Sequence, residues 1–309
     1  MSVAVWSRFR STALSITFDD NSPGQFNTAL PLLDKRGLKA TFFVVPEWMK
    51  PDQWDRARFA ASNGHEIGSH TLSHLVLARE TADKQDEQMR LSRRIIDSLV
   101  PSQRCLTLAY PYGVHDSVTR AVARRYYLAA REAATWDNPS APPDRFAISG
   151  RGPSRDMEVG VVDSWIASAT GKGAWMVEVF HGIEDEGSDP ISAAWFERHL
   201  DHLMAQGSRI WIAPFATVAE YAAERQAARI TPGAATDSTL AFTVKDGLPD
   251  SLYGQPLSLS CPAPRGWRNA RAKQGNLHKW CEFEPGPEGG LIRFEAVPDR
   301  GAVVISRRK

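Results

Sequence analysis

Over its first 230 residues the chain switches repeatedly between two hydrophobic periods. Short β-branched or apolar runs such as Ala13-Leu14-Ser15-Ile16-Thr17-Phe18 and Lys39-Ala40-Thr41-Phe42-Phe43-Val44 fit buried strands, and longer stretches with apolar residues every three to four positions fit amphipathic helices. The pattern predicts strands over 13–18, 39–45, 106–109, 128–130, 174–180 and 210–212, and helices over 25–36, 53–62, 81–99, 118–125, 164–169, 193–205 and 218–228. The breakers agree: Gly37, Asn63-Gly64 and Pro101 stand where the first three helices should stop. Strands alternating with helices predict a parallel sheet covered by helices, with its chemistry at the strand ends. From Thr231 the texture changes. Thr231-Pro232-Gly233-Ala234-Ala235-Thr236 reads as a linker, and runs such as Leu240-Ala241-Phe242-Thr243-Val244 and Leu291-Ile292-Arg293-Phe294-Glu295-Ala296, set among Gly and Pro, read as strands. Two domains are expected, an α/β domain over 1–230 and a small all-β, sandwich-like accessory domain over 231–309.

Composition narrows the function classes. With 309 residues, 42% of them apolar and 9% aromatic, the chain has the means for a large core. No run approaches the roughly 20 apolar residues of a membrane helix. A formal net charge of +1 with scattered Lys and Arg makes no case for nucleic acid and points to a neutral or mildly charged substrate. No basic, apolar and small-residue leader pattern precedes the first strand, which leaves localisation open between the cytoplasm and, after removal of a leader, the envelope or exterior. Of the three cysteines, Cys105 sits in an apolar strand as a buried thiol; Cys261 and Cys281 would bridge in an oxidising compartment if they are cross-strand partners.

The candidate chemistry lies at the end of the first strand and fifty residues on. Asp19 and Asp20 close the run that begins at Ala13, and His70 and His74 are four residues apart, a spacing that puts both imidazoles on one face of a helical turn. Alone, an Asp pair mostly serves turn chemistry and a His-x-x-x-His pair is mostly an accident of helix composition. Together they offer the oxygen and nitrogen donors that a divalent ion takes in hydrolysis, with a further carboxylate for proton work.

Three segments add more: Ser15-Ile16-Thr17-Phe18-Asp19-Asp20, Lys39-Ala40-Thr41-Phe42-Phe43-Val44, and 63–74 with Gly64-His65-Glu66-Ile67-Gly68-Ser69-His70 at its centre. In this order they closely resemble the polysaccharide deacetylases of carbohydrate esterase family 4, the NodB-type domain, over about residues 3–221. The resemblance implies a distorted (β/α)7 barrel, Asp19 as general base, and Asp20, His70 and His74 as ligands of one divalent ion, Zn²⁺ foremost with Co²⁺, Ni²⁺ or Mn²⁺ as alternatives. It further implies that Ala109-Tyr110-Pro111-Tyr112-Gly113 is the third motif, with Pro111 and the Tyr112 amide at the oxyanion, and that Val179-Phe180-His181-Gly182 is the last, with His181 as general acid. No organic cofactor is called for.

The chain departs from this pattern. Ala109 stands where many members have the Arg that orients the base, and Arg131, at the end of a predicted strand, is the substitute that the barrel geometry suggests; a solvated Arg opening a loop is the alternative. Asn21 replaces the usual Gly and tolerates a left-handed backbone. Asp163-Ser164-Trp165 has the residue types of a fourth motif but reads as a helix start and receives no role. The Pro-rich loop at Trp136 either shapes the substrate groove or is a rigid connection. Trp267, Trp280 and Tyr253 are either sugar platforms or the aromatic filling of a small core. His65 would support the metal ligands, and His115, His199, His202 and His278 read as surface or core residues. The leading expectation is a metal-dependent hydrolase removing N- or O-linked acetyl groups from a polysaccharide or oligosaccharide. A hydrolase of a non-sugar linear amide and a catalytically weakened glycan-binding relative are the alternatives.

Overall fold

The computed structural model describes residues 1–184, 188–286 and 290–307. The chain divides into two compact units, Ser11–Ala219, and Met1–Arg10 together with Glu220–Lys309. Strand β1 (Ser2–Val3) goes with the second unit. The first opens on β2 (Thr12–Asp19) and continues through α1 (Leu30–Lys35), β3 (Thr41–Val44), α2 (Pro51–Ser62), β4 (Glu66–Ser69), α3 (Ala82–Leu99), β5 (Thr107–Ala109) and α4 (Ser117–Ala123). Then come β6 (Ala129–Ala133), β7 (Ile148–Gly150), α5 (Val159–Lys172), β8 (Trp175–Phe180), α6 (Ala193–Ala205) and β9 (Ile210–Ile212); α7 (Phe215–Ala227) contains the division between the units.

The strands of the first unit pair in parallel in the order β7-β6-β5-β4-β3-β2-β8, with β9 also on β2. A bridge between Arg151 and Glu178 brings the end of β7 to β8, so seven strands nearly close a ring. This is the expected distorted (β/α)7 barrel. All eight residues of β2 are buried, as a strand with side chains on both the lumen and the helix layer requires. Helix starts are set locally: the Thr81 hydroxyl caps α3 through the amide of Lys84 at 3.3 Å, and Ser192 caps α6 through Trp195 at 3.1 Å. Within the barrel, the buried Glu66 carboxylate accepts from Thr41 Oγ1 and the Ala216 amide, each at 2.8 Å, and from the Thr107 hydroxyl.

Several elements differ from the pattern reading. Strands β4 and β7 were not legible, because Glu66-Ile67-Gly68-Ser69 and Ile148-Ser149-Gly150 carry one apolar side chain each besides Gly. They are strands because their neighbours supply ladders, β3 and β5 for β4 and β6 for β7. The short helix expected over 164–169 runs over Val159–Lys172, which takes Asp163-Ser164-Trp165 into its interior. The stretch read as a linker is β10 (Arg229–Ala235), paired antiparallel with β11 (Thr239–Lys245).

The second unit adds β12 (Leu257–Pro262), β13 (Ala270–Gln274), β14 (Leu277–Trp280), β15 (Glu282–Glu284), β16 (Leu291–Ala296) and β17 (Ala302–Arg307). Its strands form two antiparallel sheets, β10-β11-β17-β13-β14 and β1-β12-β16-β15. Alternate side chains of each sheet are buried, and the rings of Phe242 and Phe294, one from each sheet, lie 5.1 Å apart. Trp267 and Tyr253 are buried and fill this unit, whereas Trp280 is 56% exposed. Cys105, Cys261 and Cys281 are all free thiols, so the conditional Cys261–Cys281 bridge is not formed.

Candidate active site

The C-terminal ends of the parallel strands deliver one cluster. Asp19 is the last residue of β2, Arg131 lies in the middle of the short strand β6, His70 and His74 follow β4, and His181 follows β8. With Asp20, Tyr110, Tyr112 and Val179 these residues line a single cleft. The backbone there is tightly turned: Asp20 (φ 72°) and Asn21 (φ 46°) are both left-handed. The Asn21 side-chain carbonyl accepts from the Val45 amide at 2.9 Å, and its main-chain carbonyl accepts from Gln53 at 2.6 Å, so the turn is fastened to β3 and α2.

The two histidines converge, although on no helix. His70 to His74 is an irregular loop in which Thr71 (φ 66°) and His74 (φ 62°) are left-handed, with the His74 amide bonded to Thr71 Oγ1 at 3.0 Å. His70 Nδ1 lies 2.8 Å from the carbonyl of Ala109, a contact that assigns the proton to Nδ1 and leaves the Nε2 lone pair toward the cleft. Nε2 of His70 and of His74 stand 3.5 Å and 3.3 Å from Asp20 Oδ1. Burial, then the charge of His70, lowers the pKa of His74, which favours the neutral, ligating form.

One feature of this trio decides what it fits. Among the described residues, Asp20 Oδ1 is buried with no hydrogen-bond donor, a costly state for a carboxylate oxygen that faces the Nε2 atoms of two imidazoles. The three donor atoms lie within 4.8 Å of one another. Ligands about 2.0–2.1 Å from a tetrahedral ion sit roughly 3.3 Å apart, so a divalent cation at the centre relieves both the missing donor and the repulsion.

Asp19 is held differently. The Arg131 guanidinium, itself buried, donates to Asp19 Oδ2, the contact expected of a substitute for the missing third-motif Arg. Burial raises the Asp19 pKa, but the charge of Arg131, followed by those of His70 and His181, overcomes it and the net effect is a lowered value. The other oxygen, Oδ1, is buried without a hydrogen-bond partner among the described residues. Gly150 of β7 makes room for the arginine stem: a Cβ there would stand 2.7 Å from Arg131 Cδ. Gly113, at φ 69°, lets the third-motif loop lie on the end of β6, where a Cβ would meet the Ala133 nitrogen at 2.4 Å.

The remaining candidates fall in and around the cleft. Tyr112, at φ 59°, sets its ring 4.7 Å from that of His74. Pro111 is buried in the same turn and Trp136 is 59% exposed on its loop; neither is among the described residues that line the cleft. His65 does not support the candidate ligands: its Nε2 meets Asp34 at 3.0 Å and its Nδ1 accepts from the Ala40 amide at 3.1 Å. Two neighbours escaped the sequence reading. Trp48 places its ring 4.9 Å from His74. Gln25 is fully buried and donates from Nε2 to the carbonyls of Asp19 and His181, the latter at 2.6 Å, tying β2 to β8 at the site. A glutamine on the buried side of an otherwise apolar helix start was the available signal for it.

Residues 7–130 match the family model for polysaccharide deacetylase, the family whose NodB-type, family 4 carbohydrate esterase motifs the sequence resembles. The matched span contains Asp19, Asp20, His70, His74 and Ala109. A gellan lyase from a Bacillus species is 26% identical over 98% of this chain and 13% of its own length. A chitooligosaccharide deacetylase from a Bradyrhizobium species is 34% identical over 37% of this chain and 52% of its own. The structure of a putative polysaccharide deacetylase from Mycobacterium smegmatis shares the fold at a TM-score of 0.57 and 15% identity, covering 76% of this chain and 97% of the other. The chain thus spans between 13% and about half of the curated relatives it matches.

Proposed function

We propose that the polysaccharide deacetylase domain in residues 7–130, completed by Arg131 and His181, hydrolyses N- or O-linked acetyl groups on a polysaccharide or oligosaccharide. The observation that carries this reading is the convergence of His70 and His74 on an Asp20 carboxylate oxygen that is buried without a donor among the described residues, beside an aspartate held by a guanidinium. Relatives named chitin deacetylase and chitooligosaccharide deacetylase support the substrate class.

Asp20, His70 and His74 would hold one divalent ion, Zn²⁺ by the donor set. Such an ion supplies Lewis-acid polarisation of a carbonyl and acidifies water at neutral pH. Asp19, kept ionised by Arg131, takes the proton of the attacking water on Oδ1. The Tyr112 amide, at the rim of the cleft, faces the oxygen on which charge develops, and His181 gives a proton to the departing amine or alkoxide. Trp48 and Tyr112 flank His74 with aromatic faces and position a sugar ring over the site. The Arg131–Asp19 contact favours this reading over a weakened glycan-binding relative, because the base retains an orienting cation despite Ala109.

Acetate release from N-acetylglucosamine oligomers, acetylated xylan and simple linear amides, measured before chelation, after chelation and after Zn²⁺ is restored, tests the proposal. Release from at least one of the two glycans that is lost to chelator and regained with metal is the expected result. Release from the amides alone would move the assignment to non-sugar substrates, and no release from any of them would overturn catalysis.

A further inference from the structure

The β-sheet unit has a groove of its own, which shares no residue with the cleft of the barrel. Its floor and walls come from the turn before β2, from β12, from the end of β14, from β15 and from β16, with Trp280, Phe9, Arg8, Arg293, Glu282 and Glu295 as the residues that matter. We propose that this groove binds a pyranose chain.

Three observations point to a ligand of that chemistry. The first is Trp280. An indole left 56% exposed keeps a large apolar surface in water, while Trp267 and Tyr253 of the same unit are buried. The second is the turn that carries Arg8 and Phe9. Both residues are left-handed, at φ 53° and 57°, a conformation that costs a non-glycine residue free energy and persists only where the surroundings hold it. Here the buried Ser258 holds it, accepting from the Arg8 amide at 2.7 Å. The third is the polar rim. The Arg293 guanidinium stacks 4.4 Å over the Phe9 ring, Lys279 pairs with Glu295 at 2.7 Å, and Arg8 reaches the same carboxylate only at 3.8 Å.

A pyranose matches this combination. Its C–H face is apolar and packs on an indole, and its equatorial hydroxyls both donate and accept, so they need carboxylates and guanidiniums side by side. The loosely paired Arg8 and the acceptor oxygens of Glu282 supply both at the rim. Two carboxylates among the lining residues disfavour the phosphate backbone of a nucleic acid.

The test uses the full chain carrying Asp19→Asn, which slows turnover, and follows tryptophan fluorescence and titration heat. The probes are a β-1,4-linked glucose hexamer, which bears no acetyl group, and an oligomer of uronic acid. Saturable binding of either hexose or uronic acid probe is expected. Trp280→Ala should weaken it at least tenfold and Glu282→Gln several-fold, with unchanged thermal unfolding, while Trp280→Phe retains part of it. In the chain with Asp19 restored, Trp280→Ala should leave acetate release from a soluble disaccharide unchanged. Absence of saturable binding to both probes, or binding by Trp280→Ala equal to that of the parent, overturns the proposal. Because binding is read without turnover, its failure is distinct from a failure of the deacetylase reading.

Discussion

Asp19 shows how one residue acquires a role from its surroundings. Its neighbour Asp20 has the same side chain, yet Asp20 faces two imidazoles and Asp19 faces a buried guanidinium. On the proposed role, the lowered pKa of Asp19 keeps the base ionised throughout the neutral range, and the acidic limb of the rate profile should report its protonation. Removing the cation removes the stabilisation of the charged form while burial still opposes it, so the pKa rises. Arg131→Ala should therefore move the acidic limb of kcat/KM to higher pH, and each pH unit of movement lowers the ionised fraction about tenfold on the acid side. An unshifted profile with near-normal kcat would remove Arg131 from the account. The residue types at this site were legible in the sequence because they stand at strand ends beside long flanks. Gln25 and Trp48 were not, since their roles rest on what lies opposite them in space.

At the scale of elements, the His-x-x-x-His spacing predicts one face of a helix, and the chain achieves the convergence with a loop. Two left-handed residues fold His74 back toward His70, and their rings come within 4.8 Å. A helical turn and a tight loop both bring positions four apart together, so the spacing alone did not separate them. Strands β4 and β7 were hidden for a related reason: their neighbours make them strands, and their own side chains say little. In β7, Gly150 has a consequence at the site. Gly150→Ala puts a methyl group 2.7 Å from Arg131 Cδ and 2.9 Å from Val179 Cγ2, and a buried arginine stem has no solvent to retreat into. The variant should displace the guanidinium, lower kcat and move the acidic limb in the same direction as Arg131→Ala, with a loss of about 1–3 kcal/mol in stability. A normal pH profile in a folded Gly150→Ala protein would show that the stem is free to adjust.

For the whole molecule, the barrel was the legible part and the β-unit the obscure one. Alternating strands and helices announce the first, whereas 231–236 reads as a linker because its side chains are small, although 229–235 pairs with β11 as the edge strand of a sheet. Stability of the β-unit should carry its own pH signature. Burial pushes the Glu224 pKa up to about 8, although its carboxylate accepts from the Gln255 amide at 2.9 Å. The folded protein then retains a proton that the unfolded chain releases from about pH 4.5 upward, so this group lowers stability as pH rises from there through 8. Glu224→Gln keeps an acceptor and loses the charge; it should raise the unfolding temperature of this unit at pH 9 and leave it nearly unchanged at pH 5. Equal effects at both pH values would refute the titration. The central claim is that two adjacent carboxylates divide the work, Asp20 holding metal and Asp19 moving a proton. The most direct measurement is metal content and acetate release on the same preparation of Asp19→Asn: the variant should retain its metal while kcat falls by about 10²–10⁴, and loss of metal together with activity, or activity close to that of the parent, would contradict the claim.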